Sequence, residues 1–71
     1  MPIETNVIIK MRIDKLLFAL LGRHELVDQW WESPNLFFGL KTPYDVYQTN
    51  EAGRQAVLSY VENAAYGGGG S

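Results

Sequence analysis

The chain has 71 residues, of which 46% are hydrophobic and 20% charged, with no cysteine and a formal net charge of −2. That length limits it to one small domain, the composition is that of a folded domain rather than a disordered one, and the missing cysteine excludes disulfides and thiolate metal sites. A slightly acidic chain is a poor free nucleic-acid binder, although Lys10, Arg12, Lys15 and Arg23 outweigh Glu4 and Asp14 in the first 23 residues, while six acids outweigh Lys41 and Arg54 in the rest.

Residues 1–9 read as an extended arm: Pro2 opens it, and Val7, Ile8 and Ile9 are β-branched in series, which disfavours helix. Residues 10–21 read as a helix, because Ile13, Leu16, Leu17, Leu20 and Leu21 recur at the spacing of one buried face. The longest apolar run, Leu16 to Leu21, falls far short of the roughly 20 residues that span a bilayer, and no basic-then-apolar leader opens the chain, so no membrane role is expected. Gly22 is a left-handed stop. A second helix runs from His24 to Trp31, with Leu26, Val27, Trp30 and Trp31 on one side, and Ser33-Pro34 ends it because proline disfavours α geometry in the residue before it. Asn35 to Leu40 is a turn or a single helical turn rich in apolar side chains.

Thr42-Pro43-Tyr44-Asp45 is a helix start: a capping threonine, proline at the first helical position and an acid near the positive end of the helix dipole. That helix ends by about Thr49. Thr49 or Asn50 caps the last helix, which extends to about Tyr66 with Val57, Leu58, Val61, Ala64 and Ala65 as its apolar face. Gly53 in its first turn implies close contact with another helix. Residues 67–71, Gly-Gly-Gly-Gly-Ser, form a flexible tail of linker type, natural or appended. The fold class is therefore all-α: a compact bundle of four to five short helices over residues 10–66, with an extended arm before it and a Gly-rich tail after it.

Aromatic residues concentrate around the mid-chain turn. Trp30 and Trp31 are neighbours on a helix and point about 100° apart, so one can be core while the other anchors an interface. Phe37, Phe38, Tyr44 and Tyr47 surround the turn, and Tyr66 closes the last helix. So small a body cannot bury this much ring surface, and a surplus apolar patch usually means a partner. These seven residues are the candidate partner-binding set, with a purely structural cluster as the competing reading. His24 is the single histidine, and its relation to Asp28 is that of a helix-surface pair, so no metal is expected. No cofactor is implied, and nothing supplies the machinery of nucleophilic or phosphoryl-transfer catalysis.

The order Trp30-Trp31-x-Ser33-Pro34-Asn35, then Gly39, then Thr42-Pro43-x-Asp45, then Gly53 resembles the toxin-binding domain at the C-terminal end of Xre/MbcA/ParS-type bacterial antitoxins. The resemblance covers roughly residues 16–67. Pro34, Asn35, Gly39, Pro43 and Gly53 match its turn and helix-start positions, with Val57, Val61 and Gly67 at matching intervals. Phe38 stands where leucine is usual, Leu40 where a second glycine is common, and Trp30-Trp31 doubles the aromatic. The resemblance implies a small all-helical fold and a protein partner, typically a RES-domain toxin that consumes NAD and whose active-site entrance is blocked by the antitoxin's C-terminal region. The family usually places a helix-turn-helix DNA-binding domain ahead of this one. None is visible here, so repressor activity is not expected to carry over. The first expectation is an antitoxin-like, non-catalytic interaction module of the bacterial cytoplasm. The alternative is a small structural or assembly subunit of a bacteriophage virion, its arm and tail contacting neighbouring subunits. A homo-oligomer is compatible with either.

Overall fold

The apolar spacing over residues 13–21 does mark a helix, but the helix that carries it is longer than the spacing indicates. In a computed structural model that describes residues 2–67, with side chains from Val7 onward, α1 runs from Pro2 to Leu21. Helix therefore replaces the extended arm expected for residues 1–9, of which Met1 lies outside the described residues. The reason is cooperative. A β-branched residue costs only a few tenths of a kcal/mol in a helix, whereas each residue added to an existing helix gains a backbone hydrogen bond, and proline is tolerated in the first turn.

Gly22 adopts φ +83° and its N–H closes on the Phe18 carbonyl at 2.7 Å, turning the chain into α2, His24–Glu32. Ser33 is extended, as a residue before proline must be. A single 3₁₀ turn, Leu36–Phe38, leads to α3, Pro43–Thr49. Thr42 caps α3 by accepting the Asp45 N–H, with Pro43 at its start. Asn50, rather than Thr49, caps α4, Glu51–Ala65, by accepting the Gly53 N–H at 2.7 Å. The Thr49 hydroxyl instead donates back to the Asp45 carbonyl. Among the described residues the chain is all-α, as its sequence pattern indicated.

The core gathers Ile13 and Leu17 from α1, Val27 and Trp31 from α2, Tyr47 from α3, and Val57 and Val61 from α4. Helix α4 packs on both α1 and α3. At Gly53 the α3–α4 approach leaves no room for a side chain: a Cβ there would collide with the Val46 carbonyl group. Three residues expected on buried faces lie outside, namely Leu20, Leu26 and Ala64. Each sits at the edge of its helix's apolar stripe, where burial depends on how far the neighbouring helix reaches. Gly67 is left-handed at φ +82°; the remainder of the Gly-rich tail, residues 68–71, lies outside the described residues.

Candidate partner-binding site

Between α2 and α3 the chain makes a turn closed by its own backbone. The Asn35 N–H donates to the Lys41 carbonyl at 3.0 Å, and the Asn35 carbonyl accepts from Phe38 at 3.0 Å and Leu40 at 2.9 Å. The Asn35 side chain accepts the Phe37 N–H at 2.8 Å. Two consecutive residues are left-handed, Gly39 at φ +70° and Leu40 at φ +68°. Glycine adopts that conformation freely, but a leucine there costs about 1–2 kcal/mol. The turn displays Leu36, Phe37 and Leu40, which are 83%, 66% and 63% exposed.

The aromatic residues expected to form one partner-binding set are distributed along a path from surface to core. Phe37 meets Phe38 edge-on at 5.2 Å, and both lean on Tyr60, at 4.7 and 5.5 Å. Tyr60 stacks with Trp30 at 6.2 Å, and Trp30 meets Trp31 at 5.4 Å. Trp31 in turn meets Tyr47 edge-on at 5.5 Å. Trp31 and Tyr47 are core residues, only 5% and 7% exposed, so they support the surface rings rather than present themselves to a partner. Trp31 packs within the core cluster, and its indole N–H is satisfied there by the Asp14 carboxylate at 2.7 Å. Trp30 and Phe38 are half-buried, and Phe37 is the ring left outward.

Two further residues of the set stand apart from this path. Tyr44 borders a small hollow with Lys10, Asp28, Trp31 and Glu32. Tyr66 lies just past the end of α4 and is exposed.

Beside Phe37 runs a shallow groove of about 500 Å³, lined by Phe37, Ala56, Ser59, Tyr60, Asn63 and Ala64. The exposed residues from Ala52 to Tyr66 are Ala52, Gln55, Ala56, Ser59, Asn63, Ala64 and Tyr66, none of them charged. The charges of α4 are kept off this face: Glu51 is at its first residue, Arg54 is half-buried, and Glu62 pairs with Arg12 of α1 at 3.1 Å. By contrast, the hollow between α1 and α2 is rimmed by Asp14, Lys15, His24 and Asp28. Charge depletion at the centre of a surface patch is a compositional mark of interfaces. Tyr60 of this groove, with Ala56, Ser59 and Asn63 beside it, and the exposed Leu36 and Leu40 of the turn were not among the expected partner-binding residues. Tyr60 lies three residues after Val57 at the border of the α4 stripe, and leucines in a turn, with no helical face to join, were a signal of exposure.

A four-helix fold this small, with a rigid apolar turn and an uncharged helix face, has the make-up of a protein-interaction domain. The chain belongs to the antitoxin Xre/MbcA/ParS C-terminal toxin-binding domain family, whose model matches residues 16–67. No curated protein and no solved structure matches it. The motif that carries the family resemblance is mostly architectural in this chain. Pro34 and Asn35 shape the turn, Gly39 supplies a left-handed residue, Pro43 starts α3 and Gly53 admits α3 against α4.

Proposed function

We propose that this chain is a non-catalytic antitoxin module that binds and neutralises a RES-type toxin, using the turn at residues 36–40 and the outer face of α4. Family membership supplies the class of partner, and the exposed apolar turn, whose Phe37 also lines the uncharged α4 groove, is the observation that supports this site of contact. Rings held at fixed positions lose little conformational entropy on docking, and aromatic side chains are enriched at binding hot spots. Docking α4 and Tyr66 over the toxin would cover the entrance to its active site with the C-terminal part of the domain, as the resemblance implies. Co-expression with a RES-domain toxin from the same source tests this. Restored growth and a co-purifying complex are expected, and unrelieved toxicity with no complex would refute it.

The virion-subunit alternative drew on an extended arm and a Gly-rich tail that contact neighbouring subunits. A helix stands over residues 2–9 instead, which removes the arm from its support, while residues 68–71 of the tail lie outside the described residues.

A further inference from the structure

Leu40 is the one non-glycine residue with positive φ among the described residues. Its conformation is enforced from both sides, by the Leu40 N–H bond to the Asn35 carbonyl and by the Asn35–Lys41 pairing. The fold gains little from the leucine side chain, which is mostly in solvent, and glycine would take the same angles without strain. A strained residue that does not stabilise its own fold points to a role outside it. Leu36 and Phe37 on the same turn are also exposed, and no residue from Ser33 to Leu40 carries a charge.

We infer that this turn is a preformed plug, and that Leu40, with Leu36 and Phe37, inserts into an uncharged concave pocket on the toxin. The inference rests on the toxin-binding reading above and adds where and how the partner is gripped. Three apolar side chains stand out from one hydrogen-bonded turn, and a concave pocket is the shape that buries all three together. Its tip offers apolar groups, so a charged pocket wall would be desolvated without compensation. Membership of a toxin-binding family makes a pocket on the toxin the occupant. A lipid surface or a second copy of the chain would use the same apolar tip, and the test separates them.

The full chain and its Leu40→Gly and Phe37→Ala variants are to be titrated calorimetrically against a purified, catalytically inactivated RES-domain toxin from the same source, with melting curves of each variant alone. Leu40→Gly is expected to melt about 4–8 °C higher yet bind at least tenfold more weakly, two changes of opposite sign that a purely structural residue would not give. Phe37→Ala is expected to weaken binding similarly without the gain in melting temperature. Unchanged binding by Leu40→Gly, or a lower melting temperature, overturns the plug while leaving the toxin reading intact. Flotation of the wild-type chain with phosphatidylglycerol vesicles, or a dimer in sedimentation, either being lost in Leu40→Gly, also overturns it by naming another occupant. If the wild-type chain does not bind the toxin at all, both readings fall together.

Discussion

Gly53 and Tyr47 show how much a single position carries in so small a core. At Gly53 the group that blocks a Cβ is the Val46 backbone, which cannot swing aside as a side-chain tip can. Alanine is the better helix former by up to about 1 kcal/mol, but overpacking typically costs about 1–3 kcal/mol, so the clash wins. Gly53→Ala is expected to lower the melting temperature by several degrees, read by circular dichroism. Tyr47 is pushed above its ordinary pKa by burial, with the Arg54 charge offsetting only part of that effect. The folded state thus favours the neutral phenol. Above about pH 10 the unfolded chain releases this proton first and binds fewer protons than the native state, so stability falls as pH rises. Urea melts between pH 8 and 11 should show this alkaline loss in the wild type and a flatter profile in Tyr47→Phe.

Helix α1 is tied to the rest by contacts of unequal worth. Asp14 accepts from the buried Trp31 indole at 2.7 Å and from Lys10 at 3.1 Å, while the Lys10 ammonium lies 5.0 Å from the Trp31 ring. A hydrogen bond to a charged group contributes about 1.5–3 kcal/mol when buried, and the partial exposure of Asp14 brings the expectation to roughly 1–2 kcal/mol. A double-mutant cycle of Asp14→Ala with Trp31→Phe should return a coupling energy of about 0.5–2 kcal/mol; a value near zero would show that the pair does not join α1 to α2. The Arg12–Glu62 pair joins α1 to α4 at a similar distance. Because it is more exposed, Arg12→Ala should change stability by no more than about 1 kcal/mol. The cap matters more: Asn50→Ala leaves the Gly53 N–H without its acceptor and should cost about 1 kcal/mol.

For the whole molecule, the proposed contact surface is separate from the core that holds the fold together. The core is built from α1, α2, α3 and the inner side of α4, whereas the uncharged surface uses the turn and the outer side of α4. Ala56 lies on that outer side and is exposed. Ala56→Arg should therefore leave the thermal melt within about 0.5 kcal/mol of the wild type and abolish rescue from the toxin. Rescue by this variant would move the interface elsewhere on the surface, with the charged hollow between α1 and α2 as the next place to look.

Much of this fold was legible in the chain itself, because the signals are local. The Thr42-Pro43 helix start, the Asn50 cap, the stop at Gly22 and the end of α2 at Ser33 each depend on residues within about four positions, and such geometry is set by steric limits and short hydrogen bonds. The family motif was legible for the same reason, since its prolines and glycines specify turns. Burial was not. Trp30 and Trp31 are adjacent and chemically identical, yet Trp31 goes into the core with Ile13, Leu17 and Val57, with Asp14, 17 residues away, accepting its N–H. Tyr47 is enclosed while Tyr44 stays exposed, again through helices distant in sequence. The long α1 was concealed by β-branched residues whose weak local preference yields to helix propagation. Apart from the start of α1, residue order thus determined where helices start and stop and which family motif they carry. Only the packing of helices against one another decided which rings face solvent, because burial is a property of partners brought together in space.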